Sequence, residues 1–404
     1  MKTENNMEKR IPGWLVLFLA AACGLIVANL YYAQPLVGPI SSSTGISSDM
    51  AGFIVTMTQL GYAAGLLLLV PLSDLLENRK LVVTILAVAL LGLLGAGTAA
   101  NSAIFFAAAV LIGLGSAAAQ ILVPLAAHMA PPEQRGSIVG NVMSGLLLGI
   151  MLARPASSLI TDLINWRAVF IISAVIITLL VLLLRLFLPK RVPVANEKYT
   201  EILKSLFVLF KSKPVLRRRA FYQAALFGSF SLFWTVVPLW LSKNYGLSQR
   251  EIAVFGFVGV AGAIAAPIAG RLADRGLSRK LTGAAFLIAA FAFAFTHVLE
   301  NGNHMVSLVI FCISAVLLDM SVSGNLVLGQ QEVYALGDEI RGRVNGIFMA
   351  VFFLGGALGS ALGGWAYAQG SWKLASIIGL VLPVIGFIYY LTESKKRNRE
   401  KNIK

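Results

Sequence analysis

Read for its hydrophobic and polar positions, the chain is a series of long apolar runs separated by short polar stretches. A helix needs about 20 apolar residues to cross the hydrocarbon core of a bilayer. Twelve runs are long enough: 14–35, 51–71, 81–100, 104–127, 137–160 and 168–188 in the first half, then 220–241, 252–272, 281–299, 305–328, 344–366 and 374–391. Strand-like alternation is absent at this scale, which argues against a barrel. The pattern predicts an all-α membrane protein with twelve transmembrane helices.

The pattern also repeats. The stretch 270–280, GRLADRGLSRK, has a counterpart at 70–80, VPLSDLLENRK. Asp74, Arg79 and Lys80 recur as Asp274, Arg279 and Lys280, each 200 positions on. Arg135-Gly136 recurs as Arg341-Gly342, and Trp166 as Trp372, both 206 positions on. Such long-period similarity predicts two structural repeats, here two six-helix bundles with a shared site between them. The expected division is an N-terminal bundle over 1–188, a cytoplasmic linker over 189–219, and a C-terminal bundle with a basic tail over 220–404.

Composition sharpens this reading. The 404 residues are 58% hydrophobic and 13% charged, with a mean hydropathy of +0.81. Soluble domains have about 45–50% apolar and about 25% charged residues. The net charge of +15 does not point to nucleic acid, because the basic residues sit in short loops and tails without interleaved aromatics. They report orientation instead. With the N-terminus cytoplasmic, 28 of the 33 Lys and Arg residues fall on the inner side, four on the outer, and Arg154 within a span. Both termini are therefore expected in the cytoplasm, in an inner or plasma membrane. The first run follows Lys9 and Arg10 like a signal peptide, but its length and the many runs after it predict a retained helix. Cys23 and Cys312 lie in apolar runs and carry no redox information.

Two details concern packing. In the linker, Ile202, Leu203, Leu206, Phe207 and Phe210 alternate with Lys204 and Lys211 at a spacing that suits a short amphipathic helix on the inner membrane surface; a flexible linker with an apolar cluster is the alternative. Gly145 with Gly149, and Gly355 with Gly359 and Gly363, fall four apart, a spacing that lets helix backbones approach closely.

These residues resemble the major facilitator superfamily of secondary transporters, over essentially the whole chain. The family's loop motif, glycine-x-x-x-aspartate-arginine-x-glycine-x-arginine-lysine, is kept at Gly270, Asp274, Arg275, Arg279 and Lys280, with Leu277 where glycine is usual. The first copy keeps Asp74, Arg79 and Lys80 but has Val70, Leu75 and Glu77 at the other motif positions. NLYYAQPL at 29–36, FWTVVPLWL at 233–241 and LLDMSVSGN at 317–325 are similar to the twelve-helix drug:proton antiporter branch, near its sugar- and nucleoside-efflux members. Two departures fall on positions tied there to coupling and export. Arg154-Pro155 stands where that branch has glycine-proline in the fifth helix, and Ala109 and Ile112-Gly113 stand where the fourth has an arginine ahead of glutamine-glycine.

The resemblance implies a conformational latch. An aspartate at the inner end of one helix meets the positive end of another, while Arg and Lys neighbours bind carbonyls or lipid phosphates. Asp74 would face the helix beginning near Arg341, and Asp274 the one beginning near Arg135, with Arg79, Lys80, Arg275, Arg279 and Lys280 around them. Solvated turns that merely report topology are the rival reading. Deep within the spans lie two charges only, Arg154 and Asp319. Such a charge costs roughly 2.5–3.5 kcal/mol on insertion scales, so it faces a cavity or a partner. Asp319 is the expected proton-titrating group. Arg154 is either its partner cation or a substrate-binding group, and a purely structural ion pair is the alternative to both.

Helices 1, 4, 7 and 10 line the cavity in this superfamily. Here they carry Asn29, Tyr32 and Gln34, then Gln120, then Gln223 and Trp234, then Asn325, with Pro35, Pro124 and Pro238 as kink sites. Amides and aromatic rings suit uncharged or weakly polar organic substrates, although any one of them can instead bond a neighbouring helix. No phosphate-binding GxxxxGK[ST] run, zinc motif or nucleophile elbow occurs. The expectation is a transporter and not an enzyme: a cofactor-free monomer in membrane lipid that exports small organic molecules against protons by alternating access. A nutrient importer or passive facilitator is the alternative, with a membrane sensor or enzyme further behind.

Overall fold

The computed structural model describes residues 12–131, 134–193, 197–262, 264–297, 304–337 and 339–402, with side chains described up to residue 393. Lys9, Arg10 and the basic C-terminal side chains of the orientation argument lie outside the described residues, as do positions 298 and 299 of the ninth run. Nearly every described residue is helical and none lies in a strand. In chain order the helices are α1 (Gly13–Ala28), α2 (Val37–Thr44), α3 (Phe53–Leu68), α4 (Asn78–Gly97), α5 (Ser102–Ser116), α6 (Ala119–Met129), α7 (Arg135–Leu163) and α8 (Trp166–Phe187). After these come α9 (Tyr199–Ser212), α10 (Pro214–Tyr245), α11 (Gln249–Gly262), α12 (Ala265–Asp274), α13 (Ser278–Phe295), α14 (His304–Tyr334) and α15 (Arg341–Asn402).

Ten helical stretches among the described residues are long and apolar enough to cross a membrane. The last of them, Arg341–Glu393, is interrupted by the non-helical Gly370 and Ser371 and so makes two crossings. The shorter apolar helix Gly13–Ala28 makes another, which brings the crossings to the twelve expected. Their outer faces carry large apolar side chains, with Leu17, Leu163 and Leu186 each 72% exposed, as lipid contact requires.

The local chemistry explains where helices start and stop. Asn101 and Asn165 cap α5 and α8 by accepting from the backbone N–H groups of Ile104 and Ala168 at 3.0 and 2.9 Å, satisfying donors that a helix start leaves open. Gly45 and Gly246 end α2 and α10 with φ of 69° and 66°, a conformation that costs glycine little. The first run is broken rather than kinked. Asn29 donates through Nδ2 to the carbonyls of Leu25 and Ile26 at 3.1 and 3.0 Å, using up acceptors that a continuing helix would need. The chain then turns, passes Pro35 in a short 3₁₀ segment and re-enters helix at Val37.

Each half has a seam built on small residues. Gly145 and Gly149 of α7 lie against the backbone of Ala20 and Gly24 in α1, and Gly355 and Gly359 of α15 against Ala224 and Gly228 in α10. A Cβ at any of these four would collide with the opposite backbone. Lipid supplies no hydrophobic drive between helices, so such close contact is how they hold together. Between the halves, α3 packs on α15 and α7 on α11. The first of these contacts is partly polar. Thr56 donates to the Ala357 carbonyl at 3.1 Å and pairs with Ser360 Oγ at 2.8 Å; Gln59, also on α3, donates through Nε2 to Ser231 Oγ of α10 at 2.9 Å.

The connection between the halves contains α9. Its Ile202 and Leu206 are buried, and Phe207 and Val208 are exposed. Tyr199 donates to the Leu68 carbonyl at 2.8 Å. Arg343, at the start of α15, donates to Ser205 Oγ at 3.3 Å and forms an ion pair with Glu197. Phe210 meets Phe221 of α10 edge-on, with ring centroids 6.1 Å apart.

Candidate functional site

Arg154 sits deep in α7, directly before Pro155, and is 5% exposed. Asp319 faces it from α14, also 5% exposed, with Oδ2 3.9 Å from Arg154 Nη1. The pair joins the two halves of the molecule. Each member has a neutral partner besides. Arg154 Nε donates to Gln34 Oε1 at 3.0 Å, and Trp234 Nε1 of α10 donates to Asp319 Oδ1 at 2.9 Å. The guanidinium lies over three rings, 4.1 Å from the centroid of Trp234, 4.8 Å from Phe230 and 5.8 Å from Tyr31. Cation–π attraction of this kind grows as water is removed.

The space for the pair is made by α11. A Cβ on Gly259 would strike Asp319 Oδ2 and come within 2.9 Å of Trp234 Cζ2 and 3.2 Å of Arg154 Nη1; one on Gly262 would strike Asp319 Cβ. Sequence reasoning missed both glycines, together with the ring walls Phe230 and Tyr31. A G-x-x-G row in an apolar run says only that something comes close, and a Phe in a span has no distinguishing mark.

Of the residues expected in a substrate cavity, Gln34 and Trp234 meet at the Arg154–Asp319 pair. The others are engaged elsewhere. Gln223 donates to the Val322 carbonyl at 3.1 Å and accepts from Asn325 Nδ2 at 2.7 Å, which ties α10 to α14. Gln120 Nε2 donates to Tyr62 OH at 3.1 Å, and the Tyr62 ring abuts Phe353 at 4.4 Å. Asn29 Oδ1 accepts from Ser173 Oγ at 2.5 Å within the first half. Tyr32 is half-buried nearby.

The proposed latch residues lie at the opposite end of the spans. Asp74 closes a 3₁₀ turn within electrostatic reach of Arg343 in the other half and of Arg191. Arg79 donates to the carbonyls of Arg185 and Leu188 at 3.2 and 3.4 Å, and Lys80 lies 3.4 Å from Glu77. In the second copy, Asp274 accepts from Gln331 Nε2 at 3.4 Å. Arg275 follows α12 and Lys280 opens α13, while Arg279 lies over the Tyr390 ring at 5.8 Å. Arg135 donates to the Ala127 carbonyl at 3.0 Å, and Arg341 lies over the Tyr334 ring at 5.6 Å.

A second buried arginine was counted in the sequence only as a linker charge. Arg219 of α10 grips Glu332 of α14 with two hydrogen bonds of 2.7 and 2.8 Å. It also lies 3.4 Å from Glu393 and 3.4 Å from Thr282 Oγ1. Tyr222 donates to the other Glu393 oxygen at 3.0 Å.

Twelve crossings in two halves, with a buried arginine–aspartate pair between them, define a multi-pass membrane protein of the two-bundle transporter fold. The family model described as Major Facilitator Superfamily matches residues 16–337 and 333–404, and the chain belongs to that family. It is 37% identical over 380 residues to the uncharacterized transporter YgaY of Escherichia coli O157:H7, covering 93% of this chain and 94% of that one. It is 32% identical over 361 residues to a Streptomyces coelicolor chain named as a probable transporter, SCO4007, covering 89% and 83%. Among solved structures, the inward-facing, occupied form of a bacterial homolog of the human lysosomal transporter Spinster aligns with a TM-score of 0.75. It does so at 16% identity over 95% of this chain and 96% of that one, a likeness of fold.

Proposed function

We propose that the protein is a proton-coupled secondary transporter that exports small organic molecules by alternating access. The observation that carries this reading is the Arg154–Asp319 pair. It spans the interface of the halves, is held at 3.9 Å rather than in a tight hydrogen-bonded bridge, and is shielded from water on every side. A proton arriving on Asp319 removes its charge and loosens the ionic tie that Arg154 makes between the halves. Charge neutralisation is then transmitted as relative movement of the two bundles, the two-state element on which coupling depends. The latch residues around Asp74 and Asp274 would hold the inner ends closed in one state and release them in the other. The skew of basic residues supports an inner-membrane location with both termini cytoplasmic, and the molecule is read as a monomer without cofactor or catalysis, made of bundles 1–188 and 220–404.

The test is proton movement in proteoliposomes with a trapped pH-sensitive dye, challenged with a panel of organic anions, cations and neutral solutes under an imposed pH gradient. At least one solute is expected to move protons oppositely to itself. Solute flux that is the same with and without the gradient would replace the antiporter by a facilitator.

A further inference from the structure

The surroundings of Arg154 are short of acceptors. A guanidinium has five N–H bonds, yet among the described residues only Nε finds an acceptor at hydrogen-bond distance, the amide oxygen of Gln34 at 3.0 Å. Nη1 stands 3.9 Å from Asp319 Oδ2, beyond hydrogen-bond reach. The Gln34 amide nitrogen, on a side chain that is 0% exposed, has no partner at all. A buried donor without an acceptor is costly, and here it belongs to the side chain that Arg154 itself is bonded to. The acceptor side differs: Asp319 Oδ1 is satisfied by the Trp234 indole N–H at 2.9 Å, leaving Oδ2. The rest of the wall is aromatic and presents ring faces of Trp234, Phe230 and Tyr31.

We propose that this site binds the carboxylate of a small organic anion with a planar aromatic body, taken by Arg154 and the Gln34 amide in competition with Asp319. A carboxylate offers two oxygens that match the guanidinium edge, while the ring faces already stacked on Arg154 continue onto the ligand's ring. A cationic solute would meet the Arg154 charge before it reached Asp319. A neutral one would leave the guanidinium edge unsatisfied. The inference rests on the transporter reading above for its proton-coupled site, not for the antiport direction, and gives that site a substrate class: the incoming carboxylate and Asp319 are alternative anions for one arginine, so proton and carboxylate load together and a solute bound this way moves with the proton.

The experiment is thermal-shift titration of the purified full chain with benzoate, benzamide and benzylammonium, which share one shape and differ in charge. Benzoate is expected to raise Tm by several degrees at saturation, the effect of a ligand that binds only the folded state, and the other two to leave it in place. Asp319→Asn removes the competing anion and should tighten benzoate about tenfold or more, the size of one charged hydrogen-bond partner. Arg154→Gln combined with Asp319→Asn keeps the site neutral, so the chain folds, and should abolish the benzoate shift. Stabilisation by benzylammonium that disappears in Asp319→Asn would overturn the proposal. So would benzamide binding as tightly as benzoate, or failure of benzoate to stabilise Asp319→Asn.

Proton flux separates this inference from the reading beneath it, using benzenesulfonate, an anion that cannot itself ferry protons. Benzoate binding with no solute-linked proton movement would end the proton-coupled reading and leave the anion site. Proton movement driven by benzylammonium, without benzoate binding, would do the reverse.

Discussion

Arg154 and Arg219 are both almost fully buried, at 5% and 4% exposure, and they could hardly be held more differently. Arg219 has two close oxygens of Glu332, a third from Glu393 and a threonine hydroxyl, all within the second half. Arg154 has one hydrogen bond to a neutral amide, a carboxylate at 3.9 Å from the other half, and aromatic faces. Burial alone does not tell a structural charge from a working one. The satisfied arginine fixes helices of one bundle to each other; the under-satisfied one, on the proposed reading, keeps a partner it is able to exchange.

That contrast is open to direct attack. The largest effect is expected at Arg219→Gln, which strands Glu332 and Glu393 in a poorly hydrated site. Removing one partner of a buried pair costs about 3–5 kcal/mol, towards the lower end here because both carboxylates reach some water. Denaturation of the detergent-solubilised protein should show this, while flux per folded molecule changes little. Arg154→Gln should do the opposite, with a smaller loss of stability and coupled flux down by about 100-fold, the scale of one charged hydrogen bond. Equal stability losses for the two would mean that Arg154 is structural too.

Next in size is Asp319→Asn, expected to remove proton-driven flux and leave counterflow exchange intact; retained uphill transport would clear Asp319 of the coupling role. Gly259→Ala pushes a methyl group into Asp319, Trp234 and Arg154. It should lower flux by roughly tenfold, since overpacking costs about 1–3 kcal/mol, whereas Gly136→Ala, with open space around it, should be silent. The mildest is Asp274→Asn, whose carboxylate has one long bond to Gln331. It should shift the balance between inside- and outside-accessible cysteine labelling without abolishing binding, and unchanged labelling would count against the latch.

The twelve crossings and the pairing of halves were legible because a bilayer imposes its thickness on every span and a duplicated chain keeps its register. Arg154 and Asp319 stood out for a related reason: a charge inside an apolar run needs an explanation. Arg219 did not stand out, because it closes the basic stretch Arg217, Arg218, Arg219 at a span's edge, where charges are ordinary. Only the fold brings Glu332, 113 positions away, onto it. The same holds for Gln34 and Gly259, whose roles depend on which helix lies opposite. Sequence pattern marks the costly residue; what lies across from it is a three-dimensional fact.

The linker is attached unequally to the two bundles. Residues just after α8 stay with the first bundle, through the Arg191 carbonyl accepting from Asn78 N–H at 3.0 Å and through Arg79. Helix α9 belongs to the second bundle through Arg343, Phe221 and the single residue Lys213 that separates it from α10. Its hold on the first bundle is the hydrogen bond from Tyr199 to Leu68, worth about 1 kcal/mol, with packing on the 3₁₀ segment Val70–Asp74. If the bundles move as proposed, a tether fastened mainly to one of them would travel as its passenger. The polar bonds such movement would have to break lie instead on α3, where Thr56 meets Ser360 of α15 and Gln59 meets Ser231 of α10.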